Sequence, residues 1–219
     1  LRIIFRNVKS FHRGDTLFAD EEFLSAFENV LSDKSLENSF KSIALSLPSE
    51  NYVSELMDSI DIEGVNAARK YLIESIAKRF RQQFLSMYLR LNKSTPYSFN
   101  KEEYGKRNLK NRALYYLMQI GGKEEIELCY NQYKDGNNMT DVMAALSLLV
   151  DVNCPQRQLA LDEFYLKWKH DALVVNKWLG LHAGSLLPGT LDTVKSLMNH
   201  ESFDIKNPNN VRSLIGTFT

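Results

Sequence analysis

The chain has little of what marks most chemistries. Only two of its 219 residues are cysteine, Cys129 and Cys154. Two thiols at that separation make neither a disulfide framework nor a metal-ligand spacing, and they read as core thiols in a reducing, cytoplasmic compartment. Ten Gly and five Pro are too few for a turn-rich β fold. Lys+Arg 27 equals Asp+Glu 27, so no net field draws nucleic acid or an anionic membrane, and neither is an expected partner. No apolar run approaches the ~20 residues needed to cross a bilayer. The start, Leu1-Arg2-Ile3-Ile4-Phe5-Arg6, is too short and too charged for a secretory segment, and it lacks an initiator Met.

Catalytic patterns are missing too. The four histidines are His12, His170, His182 and His200. No two are spaced i, i+4, as a zinc-binding helix requires, and His200-Glu201 is an isolated pair. Ser185 and Ser213 have no Gly-x-Ser-x-Gly setting. Gly121-Gly122 lacks a following Lys-Ser/Thr and reads as a helix stop. Asn92-Lys93-Ser94 and Asn138-Met139-Thr140 match a glycosylation triplet, but nothing in the sequence points to export. The expectation is a chain with no catalytic residue, no metal site and no cofactor of its own.

What is present is helical periodicity. Asp20 can cap a helix carrying Phe23, Leu24, Phe27, Val30 and Leu31 on one face. Leu36, Phe40, Ile43, Ala44 and Leu47 suggest a second helix, stopped by Pro48. Ser49 caps a short third one with Tyr52, Val53, Leu56 and Met57. From about Gly64 to Leu91 apolar residues recur every three or four positions, as in one long helix. Its other face holds Arg69, Lys70, Lys78, Arg79 and Arg81, which reads as a solvated face because no base-stacking signature accompanies it. A polar loop, Asn92 to Asn100, follows. Helices are then expected over Lys101–Ile120, Glu124–Tyr133 and, capped by Asn138 or Thr140, the Val142–Val150 stretch. Others start at Pro155, after Asp171, after Thr190 as cap, and near Pro208. Helices joined by loops of a few residues become antiparallel neighbours, so the expected fold is all-α, an α-solenoid of antiparallel helix pairs of armadillo/HEAT type. The expected organisation is an irregular edge at 1–19, cut from a preceding domain, and a helical-repeat domain at 20–219, truncated at its C-terminal end. Such a cut exposes an apolar end and predicts self-association.

Three segments carry a resemblance. The first runs from Ser46-Leu47-Pro48-Ser49 to Ile60-Asp61-Ile62-Glu63-Gly64-Val65. The second is Asn137-Asn138-Met139-Thr140-Asp141-Val142-Met143-Ala144-Ala145-Leu146. The third joins Phe164-Tyr165, Trp168-Lys169-His170-Asp171 and Asp171–Trp178 to the closing run Lys206-Asn207-Pro208-Asn209-Asn210-Val211-Arg212-Ser213-Leu214-Ile215-Gly216-Thr217-Phe218-Thr219. In order and spacing, from about residue 17 on, these are similar to the C-terminal helical domain of the aminopeptidase N family of M1 zinc metallopeptidases. Read without the family, Thr140 and Asp141 suit a helix N-terminus, Ala144-Ala145 suits close helix approach, and Trp168 and Trp178 suit packing.

The resemblance implies a parent enzyme that removes N-terminal residues from peptides with zinc. Its His-Glu-x-x-His and Gly-x-Met-Glu-Asn motifs are not in this chain. It further implies that this domain packs on the catalytic domain, walls the catalytic chamber, and meets peptide substrates only through the parent. By itself the chain is expected to be inactive. One residue is marked as substrate-binding by the resemblance, Arg212, which in the family faces the chamber and can meet a peptide's carboxyl end. The residues alone leave a second role open: Arg212 capping carbonyls or pairing with Asp204 or Glu201. An alternative for the whole chain is a stand-alone α-solenoid that binds a protein on its concave face; an RNA-binding repeat is disfavoured by the zero net charge.

Overall fold

The computed structural model describes residues 1–93 and 96–218. Ser94, in the Asn92-Lys93-Ser94 triplet, and Thr219, in the closing run, lie outside the described residues. The described residues form helices and no strand. They divide into two compact units, 1–125 and 126–219.

The first unit opens with a correction. Residues expected to be irregular form helix α1 (Arg2–Arg13), closed by Gly14 in the left-handed conformation. Ile3, Ile4 and Val8 are buried with Val53, Val65, Ala68 and Leu72 in one apolar cluster. Asn7 is also buried, and its amide grips Phe18 in both directions: Nδ2 donates to the carbonyl at 2.8 Å, and Oδ1 accepts from the amide N–H at 2.9 Å. Helix α2 (Glu21–Ser32) starts as its sequence dictates, with the Asp20 carboxylate accepting from Phe23 N–H at 2.9 Å.

Helix α3 (Asn38–Ala44) reverses its expected polarity. Phe40 and Ile43 are 59% and 72% exposed, whereas Lys41 is only 6% exposed. Its ammonium donates to the carbonyls of Leu31 and Asp33, filling acceptors that the end of α2 leaves open. Helix α4 (Glu50–Ser54) is capped by Ser49, as expected.

The long periodic stretch is two helices, α5 (Ile62–Arg79) and α6 (Arg81–Leu91), meeting at Phe80. Neither Pro nor Gly makes this break. Phe80 leaves helical geometry (φ −112, ψ 22) and stacks on Phe27 with ring centroids 5.7 Å apart. Phe84, fully buried, stacks on Tyr116 at 4.6 Å, and the Tyr116 hydroxyl donates to the Leu45 carbonyl at 2.6 Å. Tyr116 belongs to α7 (Lys101–Met118), which is packed against α6 and α3. Gly105 allows the α3 approach, since a Cβ there would lie 2.7 Å from Ser39 Oγ and 3.1 Å from Ser39 N. Gly121 then turns the chain at φ 73. Helix α8 (Lys123–Asp135) follows, and the division between units falls after its Glu125.

In the second unit the Asn138 side chain, not Thr140, caps α9 (Met139–Leu149), accepting from Asp141 N–H at 3.0 Å. Cys129 is buried beside α9, its thiol donating to Ala145 O at 3.3 Å, and burial pushes the thiol pKa well up. Pro155 begins α10 (Pro155–Trp168), and Asp171 caps α11 (Ala172–Ala183) by accepting from two N–H groups. Trp178 is buried, with its indole N–H on Leu161 O at 3.2 Å. The cap of α12 (Thr190–Leu197) is Gly189 at φ 89, not Thr190, which instead donates its hydroxyl to the Ser185 and Leu187 carbonyls. Helix α13 (Pro208–Phe218) packs against α11 and α12.

Candidate functional site

The residue implied as a substrate contact sits at the start of α13. Here the sequence builds a rigid helix entry. Asn207 Oδ1 accepts from Asn209 N–H at 3.0 Å, and Pro208 supplies a helical φ without a backbone donor. Asn210 is buried, donating from Nδ2 to Asn176 Oδ1 at 2.7 Å and accepting from Asp204 N–H at 2.9 Å. Leu214, one turn on, is fully buried. Arg212 is two residues from each, which places it about 200° around the helix from both, opposite the buried stripe.

Arg212 is accordingly exposed. Neither candidate ion-pair partner holds it: Glu201 accepts from the Tyr165 hydroxyl at 3.0 Å, and Asp204 accepts from Lys206 N–H at 2.9 Å. No hydrogen bond or ion pair of the Arg212 guanidinium occurs among the described residues. An exposed guanidinium on a well-anchored helix can take a carboxylate with two parallel hydrogen bonds.

The basic face of α5 and α6 is different, because its cations are largely spent. Arg69 donates to Pro48 O and Glu50, Lys78 to Glu74, Arg79 to Glu21, and Arg81 to Glu124 and Glu125. This is charge pairing across the unit rather than a phosphate track.

The histidines do not converge on a metal. Among the described residues no three His, Cys, Asp or Glu side chains come together in a way that fits an ion. His182 is instead 8% exposed, with neither ring nitrogen hydrogen-bonded, and it meets Trp178 edge-on at 4.7 Å. Burial, helped by the nearby Arg157 and His200, pushes its pKa down to about 4, so it is a neutral core residue. No described helix is long and apolar enough to cross a membrane.

The second tryptophan does something its sequence context did not suggest. Trp168, at the end of α10, is only half-buried and borders a groove with the α8–α9 turn. The Asn137–Leu146 run predicts a helix start and close packing. The cap, the buried Asp141 and the fully buried Ala145 agree with that, but the groove depends on tertiary contacts that no local spacing reveals.

All 219 residues match the family model described as a domain of unknown function, DUF3458_C, with ARM repeats. The chain belongs to that family. The ARM-repeat domain is thus an armadillo-type α-solenoid, and the match begins at residue 1, ahead of the point near residue 17 that the sequence suggested. It is 35% identical to aminopeptidase N of Haemophilus influenzae over 97% of this chain and 24% of that protein. With aminopeptidase N of Escherichia coli it shares 34% identity over the same fractions. A crystal structure of Legionella pneumophila aminopeptidase A in complex with aspartic acid is similar at TM-score 0.86 and 30% identity, covering 99% of this chain and 26% of that one. The ARM-repeat domain therefore spans about a quarter of the length of these relatives.

Proposed function

We propose that this ARM-repeat domain is an ancillary part of a zinc aminopeptidase, where it packs on the catalytic domain, walls the chamber and presents Arg212 to the carboxyl end of bound peptides. What supports the reading is homology running the whole length of the chain to proteins named as aminopeptidases. The Arg212 role draws on that arginine being exposed, unpaired and fixed on an anchored helix. In this reading the zinc and its ligands belong to another part of the parent, and the present chain supplies shape and one cation. A walled chamber limits access to small peptides. The parent works in the cytoplasm, where Cys129 and Cys154 remain free thiols.

Two measurements test it. The purified 219-residue chain with zinc should release no amino acid from an aminoacyl-anilide; turnover with stoichiometric zinc would sink the proposal. In the full-length enzyme, Arg212→Ala should raise KM for peptides with a free carboxyl end by about tenfold or more, since it removes the charge-assisted grip on that carboxylate. Anilides, which lack that carboxylate, should be unaffected. Equal effects on both substrates would remove Arg212 from the substrate site.

A further inference from the structure

The groove beside Trp168 has a volume of about 490 Å³ and lies wholly within the 126–219 unit. Three features make it more than a surface irregularity. Tyr133 is only 9% exposed, yet its hydroxyl bonds to no described residue and is not sealed off; it opens on the groove. Burial, with Glu163 and Tyr130 nearby, holds the phenol protonated by raising its pKa, so it can only act as a donor to an incoming anion. Water in the groove can accept from this donor until a ligand displaces it.

The second feature is charge. Lys134 and Glu163 pair across the groove at 3.2 Å, while Lys167 lies over the Trp168 ring at 5.7 Å and has no carboxylate partner among the described residues. The lining therefore carries two cations against one anion. That balance suits a single negative charge and is too weak for a phosphate dianion. The third is its apolar lining: Phe164, Met139, Val142 and the Trp168 indole. The space is ample for one bulky side chain with its backbone atoms.

We propose that this groove binds the carboxylate end of a molecule bearing a bulky apolar side chain, either the last residue of a short peptide or a free α-amino acid. The carboxylate meets Lys167 and accepts from the Tyr133 hydroxyl. The side chain lies against Trp168 and its apolar neighbours. In a free amino acid the α-ammonium meets Glu163, which a peptide bond would not do. The site is independent of Arg212 and stands or falls without it.

Nuclear magnetic resonance of the 219-residue chain tests this, because its two tryptophans give two indole N–H signals, and only that of Trp168 borders the groove. N-acetyl-L-phenylalanine should shift the Trp168 signal saturably, with a Kd on the order of a millimolar, while L-phenylalaninamide, without the carboxylate, should bind at least about tenfold more weakly. Tyr133→Phe and Lys167→Met should each weaken binding about fivefold or more while the Trp178 signal stays in place, which separates lost binding from lost fold. L-phenylalanine binding more tightly than its N-acetyl form, with the advantage lost in Glu163→Gln, identifies the free amino acid as ligand. Equal or weaker binding identifies the peptide end. No saturable shift at about 20 mM, an amide that binds as well as the acid, or variants without effect would overturn the proposal.

Discussion

Replacing His182 by Phe should flatten the acid side of the stability profile. His182 is buried edge-on against the Trp178 ring, with both nitrogens unpartnered. Its pKa falls from an ordinary 6.5 to about 4 in the folded chain, chiefly through burial. Between those two values the unfolded chain takes up a proton that the folded chain refuses. Stability is therefore complete above about pH 6.5, drains away as the pH falls, and levels off below about pH 4. At 1.36 kcal/mol per unit, the loss on going from pH 7.5 to pH 5 is about 2 kcal/mol, rising to about 3 kcal/mol at the bottom of the window. Phe keeps the edge-on contact with Trp178 and cannot titrate. Urea unfolding followed by tryptophan fluorescence is a suitable assay, since Trp168 and Trp178 both report on the 126–219 unit. His182→Phe should lose about 2 kcal/mol less than the parent chain between pH 7.5 and pH 5, and any packing change cancels in that difference. Identical slopes for the two proteins would mean that His182 is open to protonation in the folded state and that its burial is not as described.

Other outcomes follow from single contacts. Phe84→Ala removes a fully buried ring stacked on Tyr116, and calorimetry or urea titration should show a loss of about 3–5 kcal/mol. Tyr116→Phe deletes only the hydroxyl that donates to Leu45 O, and in the same assay should cost about 1 kcal/mol. Asn138→Ala leaves the first turn of α9 uncapped and should cost about 1 kcal/mol, whereas Thr140→Ala, beside it in sequence, should cost far less. Phe40→Ser with Ile43→Ser removes exposed apolar surface from α3, so light scattering should show less self-association with stability nearly unchanged.

The sequence was most readable where structure is local. Asp20, Ser49 and Asp171 cap the helices they were expected to cap, because a cap needs only its own side chain and the next three residues. It was least readable where a distant contact overrules the local pattern. Helix α1 hides its periodicity because Asn7 occupies the buried face and is satisfied only by Phe18. The α3 pattern points Phe40 and Ile43 inward, yet two open carbonyls at the end of α2 hold Lys41 there instead. The break at Phe80 has no local signal, and the Phe80 ring stacks on the sequence-distant Phe27. Arg212 stands out by resemblance alone, because its exposure is set by how α13 packs on α11 and α12. The groove at Trp168 had no sequence signal, because its donor, its cations and its aromatic wall come from two separated stretches of chain, 133–142 and 163–168.

The two free cysteines give the chain a built-in reporter. Cys129 is enclosed, donates to the Ala145 carbonyl and has its thiolate suppressed by burial, whereas Cys154 is partly open. An alkylating reagent should modify Cys154 at once and reach Cys129 only when α8 lifts from α9. The slow phase of labelling then becomes a clock for local opening, readable by mass spectrometry in the intact chain without any engineered residue.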